Sequence, residues 1–134
     1  MEPVLTDTSV WIDFFRGRKT RECALLYKYI EENGPLLVCP PIIREILQGI
    51  RNDDDYIRIK DDIFSLAVLI IDPVEAAIGS ADLYRRLRKK GITIKKTNDC
   101  LIAYYAIYHK VYLLHRDSDF DRIAGHSSLK IKEA

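Results

Sequence analysis

Cysteine is scarce in this chain. The three residues Cys23, Cys39 and Cys100 are odd in number and widely spaced, with no C-x-x-C pair. That pattern excludes a disulfide framework and a cysteine zinc site. Each thiol sits among apolar neighbours, as a small buried hydrophobe does in a reducing cytosol. Long hydrophobic runs are missing as well. The longest, Leu66 to Ile71, is far too short to span a bilayer. Glu2 and Asp7 interrupt the start of the chain, which argues against a signal peptide. Charge of one sign is also lacking: 21 Lys and Arg stand against 20 Asp and Glu, for a net charge of +1. Binding of a polyanion therefore has to rest on local patches. No linker, low-complexity tract or internal repeat interrupts the sequence. The expectation is a cytoplasmic chain with one domain over residues 1–134.

What is present is an alternation of short apolar strands and amphipathic helices. Val4-Leu5 opens the first strand. Thr8 and Ser9 are N-cap candidates for a short helix carrying Val10, Trp11, Phe14 and Phe15 at helical spacing. Thr20 starts a helix that Asn33-Gly34 ends, and Leu36 to Cys39 is a buried strand. Pro40-Pro41 opens a helix with Glu45 one turn inside it. Asn52 to Asp55 starts another, with acids favourably placed in its first turn. Val68 to Ile71 reads as a third strand, followed by a long helix to Lys90. Thr97 or Asn98 then caps a nearly wholly apolar helix through Tyr108. Val111 to Leu114 is a fourth strand, the loop Arg116 to Asp121 leads to Ile123-Ala124 and a short turn, and Leu129 to Ile131 is a last edge strand. Such alternation predicts an α/β fold with a central parallel sheet flanked by helices on both faces.

Position singles out four of the twenty acids. Asp7 follows strand one, Glu45 lies in the helix after strand two, Asp99 is in the first turn of the buried helix, and Asp117 follows strand four. Right-handed crossovers put all strand carboxyl ends on one edge, where ligands bind in open α/β sheets. Four carboxylates gathered there repel: two at about 4 Å cost roughly 4 kcal/mol at an effective dielectric near 20. A cation relieves that cost. With oxygen ligands and no paired His or Cys nearby, the ion expected is Mg²⁺ or Mn²⁺. Such an ion activates a water and stabilises a leaving oxygen in phosphodiester hydrolysis. The reading is a metal-dependent ribonuclease.

Four segments carry a family resemblance: Leu5-Thr6-Asp7-Thr8-Ser9-Val10-Trp11-Ile12-Asp13, Glu45-Ile46-Leu47-Gln48-Gly49, Asn98-Asp99-Cys100-Leu101-Ile102-Ala103, and Leu114 through Ala124. In that order and spacing the chain resembles a PIN domain, most closely the VapC-type toxins of toxin–antitoxin pairs. The resemblance implies a three-layer α/β/α fold and Mg²⁺- or Mn²⁺-dependent endoribonuclease activity. It implies Asp7, Glu45, Asp99 and Asp117 as catalytic, metal-binding acids, with Asp119 as the alternative fourth ligand. Thr8 and Ser9 support Asp7 or a metal-bound water. It further implies a homodimer, a VapB-type antitoxin as partner, and a structured RNA such as a transfer or ribosomal RNA as target. The family often has Thr where this chain has His115.

Arg16, Lys19, Lys95, Lys96 and Arg116 are candidate contacts to RNA phosphates. The cations from Arg85 to Lys90 read as a solvated helix face. His115 reads as a local hydrogen-bonding residue, with general-acid catalysis as the rival role. Three other functions stay in play. One is a catalytically silent PIN module that binds RNA or protein, and another is a PIN nuclease in RNA processing without an antitoxin. The third, a phosphoacceptor receiver domain, needs paired acids after strand one and a lysine after the last central strand. Here strand one ends in a single Asp7 and the late strand in His115-Arg116-Asp117.

Overall fold

The computed structural model describes residues 1–134. Its elements run β1 (Val4–Thr6), α1 (Thr8–Phe15), α2 (Arg21–Glu31), β2 (Leu36–Val38), α3 (Pro40–Gln48), α4 (Asp53–Phe64), β3 (Ala67–Val68), α5 (Pro73–Lys89), α6 (Thr97–His109), β4 (Tyr112–Leu114), α7 (Ser118–Ala124) and β5 (Lys130–Ile131). The five strands form one sheet in the order β3-β2-β1-β4-β5, and every pairing is parallel. No helix is long and apolar enough to cross a membrane.

The strand order explains where a site can form. From β1 the chain steps outward through β2 to β3, then returns across the sheet to set β4 on the other side of β1. Right-handed crossovers place α1 to α4 over one face and α5 to α7 over the other. The chain reverses direction between β1 and β4, and ligands bind at such a switch point, beyond the carboxyl ends of the strands. Thr6 pairs with Leu114 there, and the Asp7 N–H donates to the Leu114 carbonyl at 2.9 Å.

Central strands buried on both faces must be apolar throughout. Val4, Leu5, Val38, Leu113 and Leu114 are wholly buried. Trp11, Leu26, Tyr29 and Ile42 join the same core, as do Leu83, Leu87, Ile102, Ala103 and Phe120. The three cysteines are buried and free. Burial pushes the Cys39 thiol up to about 12 and the Cys100 thiol up to about 11, so both stay protonated and inert.

Several local expectations are corrected. The third strand covers only Ala67–Val68. Leu69 still donates to the Val38 carbonyl at 2.7 Å, but the Ile70 carbonyl accepts from His109 Nε2 at 3.0 Å, so a side chain from α6 ends the extended run. Asp7 itself, rather than Thr8 or Ser9, is the N-cap of α1. Lys96 occupies the N-cap of α6 without a side-chain bond, and Thr97 is the first helical residue. Ser118 to Asp121, read as part of a loop, belong to a helix, α7, that runs to Ala124.

α5 and α6 approach each other closely at Gly79. A Cβ built there would collide with the Tyr104 ring. In an open helix, Gly→Ala stabilises by about 1 kcal/mol. At this position the sign reverses: G79A is expected to destabilise by roughly 1–3 kcal/mol through overpacking. Adding Tyr104→Ala to G79A should remove the clash and recover part of that loss. Urea unfolding of both variants measures it, and a more stable G79A single variant would refute the close approach.

Candidate active site

β1 ends at Thr6, and the next residue turns the chain into α1. Asp7 makes that turn with an extended backbone, and its Oδ2 accepts from the Ser9 N–H at 3.1 Å and the Ser9 hydroxyl at 2.6 Å. Ser9 therefore fixes one oxygen of Asp7. Thr8, the first helical residue, sends its hydroxyl the other way, to Glu45 Oε1 at 2.8 Å. This bond joins α1 to α3 and swings Glu45 toward Asp7.

Asp117 repeats the Asp7 arrangement after β4. It is the N-cap of α7, and its Oδ1 accepts from the Asp119 N–H at 2.9 Å. Asp119 lies in the first turn of α7. Asp99 enters from the first turn of α6, is 5% exposed, and meets Asp117 and Asp119 with carboxylate oxygens within 4.8 Å of one another. Both Asp117 and Asp119 thus reach Asp99, since a cap residue and the second helical residue after it share one helix mouth.

The electrostatics of this mouth are unfavourable without a cation. Burial pushes the Asp99 carboxyl up to about 7, and Asp7, Asp117 and Glu45 push in the same direction while Lys96 opposes them. Asp7 is also raised by burial; the Ser9 bonds counter this in part, and Glu45 adds to it. Asp99 Oδ2 is buried and has no hydrogen-bond partner. An orphaned carboxylate oxygen among other carboxylates is a place for a metal ligand bond, because leaving it unmet costs several kcal/mol. The donors are all oxygens, a hard set that suits Mg²⁺ or Mn²⁺. The carboxylates of Asp99, Asp117 and Asp119 fit a divalent cation, while Asp7 and Glu45 lie outside that close group and act on Asp99 through their charge.

The basic candidates divide by location. Lys96 reaches the cluster, its Nζ 4.0 Å from Asp117 Oδ2, and Lys95 is exposed beside it. Arg16 caps the far end of α1, about 12 Å of helix from Asp7, and Lys19 lies beyond it in the α1–α2 turn. Arg116 is engaged in the fold: its guanidinium donates to Asp13 Oδ2 at 2.8 Å and lies 3.7 Å from Glu22. Asp13 is buried and also accepts from Arg18 at 3.2 Å. Asp13 is an anchor that sequence reasoning left without a role. Its spacing was the available signal, since it falls one helical turn after Ser9 and so shares the face of α1 that borders the β4–α7 loop.

Comparison with known proteins places this geometry in context. Residues 4–126 match the family model for the PIN domain. The chain is 34% identical over 128 residues to VapC ribonuclease Mb1587 of Mycobacterium bovis, covering 95% of this chain and 96% of that protein. Identity and coverage are the same for ribonuclease VapC11 of Mycobacterium tuberculosis. Among solved structures, VapBC-1 from nontypeable Haemophilus influenzae aligns with a TM-score of 0.74 at 19% identity, covering 97% of this chain and 96% of that one. DNA-bound VapBC from Salmonella typhimurium aligns at 0.72 with 20% identity and 98% coverage of both chains. Likeness at that identity speaks for the fold.

Proposed function

The chain belongs to the PIN domain family and, within it, to the VapC ribonucleases; on that premise we propose that it is the toxin of a type II toxin–antitoxin pair. It is a single PIN domain over residues 1–134 that acts in the cytoplasm as a homodimer. Its activity is hydrolysis of RNA phosphodiester bonds, and a VapB-type antitoxin neutralises it. The partner reading is supported by the VapBC complexes among its structural neighbours. The observation that carries the catalytic reading is the buried Asp99, which has one unpartnered carboxylate oxygen and gathers with Asp117 and Asp119 at the switch point of the sheet.

Asp7, Asp99 and Asp117 would hold Mg²⁺ or Mn²⁺, with Glu45 and Asp119 completing the set directly or through water. When bound, the ion supplies Lewis acidity to the phosphate and lowers the pKa of an attacking water. The rest is the work of the chain. Ser9 holds Asp7 by one oxygen and so fixes the carboxylate at the mouth of α1. Thr8 occupies Glu45 Oε1 and leaves Oε2 free to take the proton of the attacking water. Lys96 and Lys95 sit at the rim, where they draw a phosphate toward an acidic centre that would otherwise repel it.

The test is cleavage of total cellular RNA by purified, antitoxin-free protein with Mg²⁺, Mn²⁺ or EDTA, beside Asp7→Ala. Discrete fragments that need both metal and Asp7 are expected. A folded, metal-loaded protein that cleaves no RNA would instead favour a silent PIN module.

A further inference from the structure

His115 is buried at the end of β4, between the sheet and α7, and both of its ring nitrogens are engaged. The backbone N–H of Asp117 donates to Nδ1 at 3.0 Å, so Nδ1 carries a lone pair and the ring proton sits on Nε2. Nε2 faces Asp121 Oδ1 at 3.1 Å and donates to it. The ring lies against Phe120, with centroids 5.2 Å apart. One imidazole therefore ties the N-cap of α7 to a residue one turn further along. No valence is left on either nitrogen for a substrate, which removes the general-acid role.

This tie has a consequence for the acids. Asp117 spends Oδ1 on the Asp119 N–H. The Asp117 backbone is held by His115, so the first turn of α7 keeps a defined relation to Asp99, and within that turn Arg122 donates to Asp119 Oδ1 at 3.1 Å. Without the acceptor at 115, the Asp117 N–H loses its partner and the loop before α7 is free to turn.

We propose that His115 is a positioning residue: its imidazole, locked between Asp121 and the Asp117 backbone, sets the loop that presents Asp117 and Asp119 to the divalent cation. The assignment rests on the nuclease reading above only for its metal. Aligning the ligands in advance lowers the cost of binding the ion, and outer partners of this kind are worth about 10–100-fold in metal affinity.

The experiment is calorimetric titration of the full chain with Mn²⁺ in the absence of RNA, paired with cleavage rates across Mn²⁺ concentrations. His115→Phe keeps the ring packed on Phe120 and removes both nitrogens. His115→Asn keeps an oxygen that can accept from the N–H two residues on. His115→Phe should bind Mn²⁺ roughly 10–100-fold more weakly and need correspondingly more Mn²⁺ for half-maximal cleavage, with the rate at saturating Mn²⁺ largely kept. His115→Asn should stay within about threefold of the native chain on both measures. If His115→Phe does not fold, Asp121→Ala, at an exposed side chain, replaces it, and a loss of about threefold to tenfold in Mn²⁺ affinity is expected. Native Mn²⁺ affinity in a folded His115→Phe or Asp121→Ala overturns the proposal. So does an equal loss in a folded His115→Asn, or a lost saturating rate at unchanged affinity. A native chain that binds Mn²⁺ and cleaves no RNA overturns the nuclease reading alone. A native chain that binds no Mn²⁺ overturns both.

Discussion

Asp99→Asn should lose about 10³-fold or more in RNA cleavage and, in the metal-free state, make the protein more stable at pH 8. The two effects share one cause. Asp99 is buried, its Oδ2 is unpartnered, and Asp7, Asp117 and Glu45 all raise the cost of its charge. An amide of the same shape carries no charge to desolvate, so the fold gains. The same amide is a poor ligand for a hard cation, so the activity is lost. Residues selected for folding alone do not behave this way: replacing a buried group with a near-isostere normally costs stability. The measurement is cleavage rate with Mn²⁺ or Mg²⁺, beside thermal unfolding in EDTA at pH 8. An inactive variant that is also destabilised would mean that Asp99 is a structural acid. An active one would place the site elsewhere.

The second large effect is the pH dependence of the metal-free protein. Asp99 titrates near 7 in the fold and near 3.8 as an unperturbed side chain. Between those values the folded chain keeps a proton that the unfolded chain has lost, so stability falls as pH rises. Below the lower value both states are protonated and the term vanishes; above the upper value the full loss is present. Asp7 is shifted in the same direction and adds to the slope. Allowing for water at the mouth of the site, the Asp99 loss by pH 8 is on the order of 3 kcal/mol. Urea unfolding in EDTA from pH 4 to pH 8 should show it, and Asp99→Asn should flatten the curve over that window. Saturating Mg²⁺ or Mn²⁺ should restore stability at pH 8, by about 2.7 kcal/mol at a hundred times the dissociation constant. The gain should shrink toward pH 5, where protons compete for the same oxygens. Equal slopes for the native chain and Asp99→Asn would show that the carboxylate titrates normally.

Much of this arrangement is legible in the sequence because it is local. Asp7 comes directly after a strand and before a helix, and it is found there as the cap of α1. The apolar run from Leu101 to Tyr108 reads as a buried helix because too many of its faces are apolar for a surface one. Asn52 and the acids after it mark the start of α4 by capping chemistry alone. The alternation of strands and helices, and with it the parallel α/β class, follows from periods of two and of three to four along the chain.

The remainder depends on contacts between residues far apart in the chain, and no local period carries those. Asp117 and Asp7 both bear on Asp99 because the chain crosses back over the sheet and lays β4 against β1. Thr8 and Ser9 look alike as capping residues, yet one holds Asp7 and the other reaches 37 positions on to Glu45. Asp117 and Asp119 compete on paper for one place; the fold brings both to Asp99, because the cap and the first turn of α7 open onto the same mouth. A histidine on α6 shortens the third strand, and Arg116 is held by Asp13 from α1. By itself the sequence determined the alternation of strands and helices and the place of Asp7 directly after the first strand, since side-chain spacing and capping act within a few residues. Only the tertiary structure decided strand order, the partners of each hydroxyl and carboxylate, and the burial that leaves Asp99 without a proton donor, since these depend on which distant surfaces pack together.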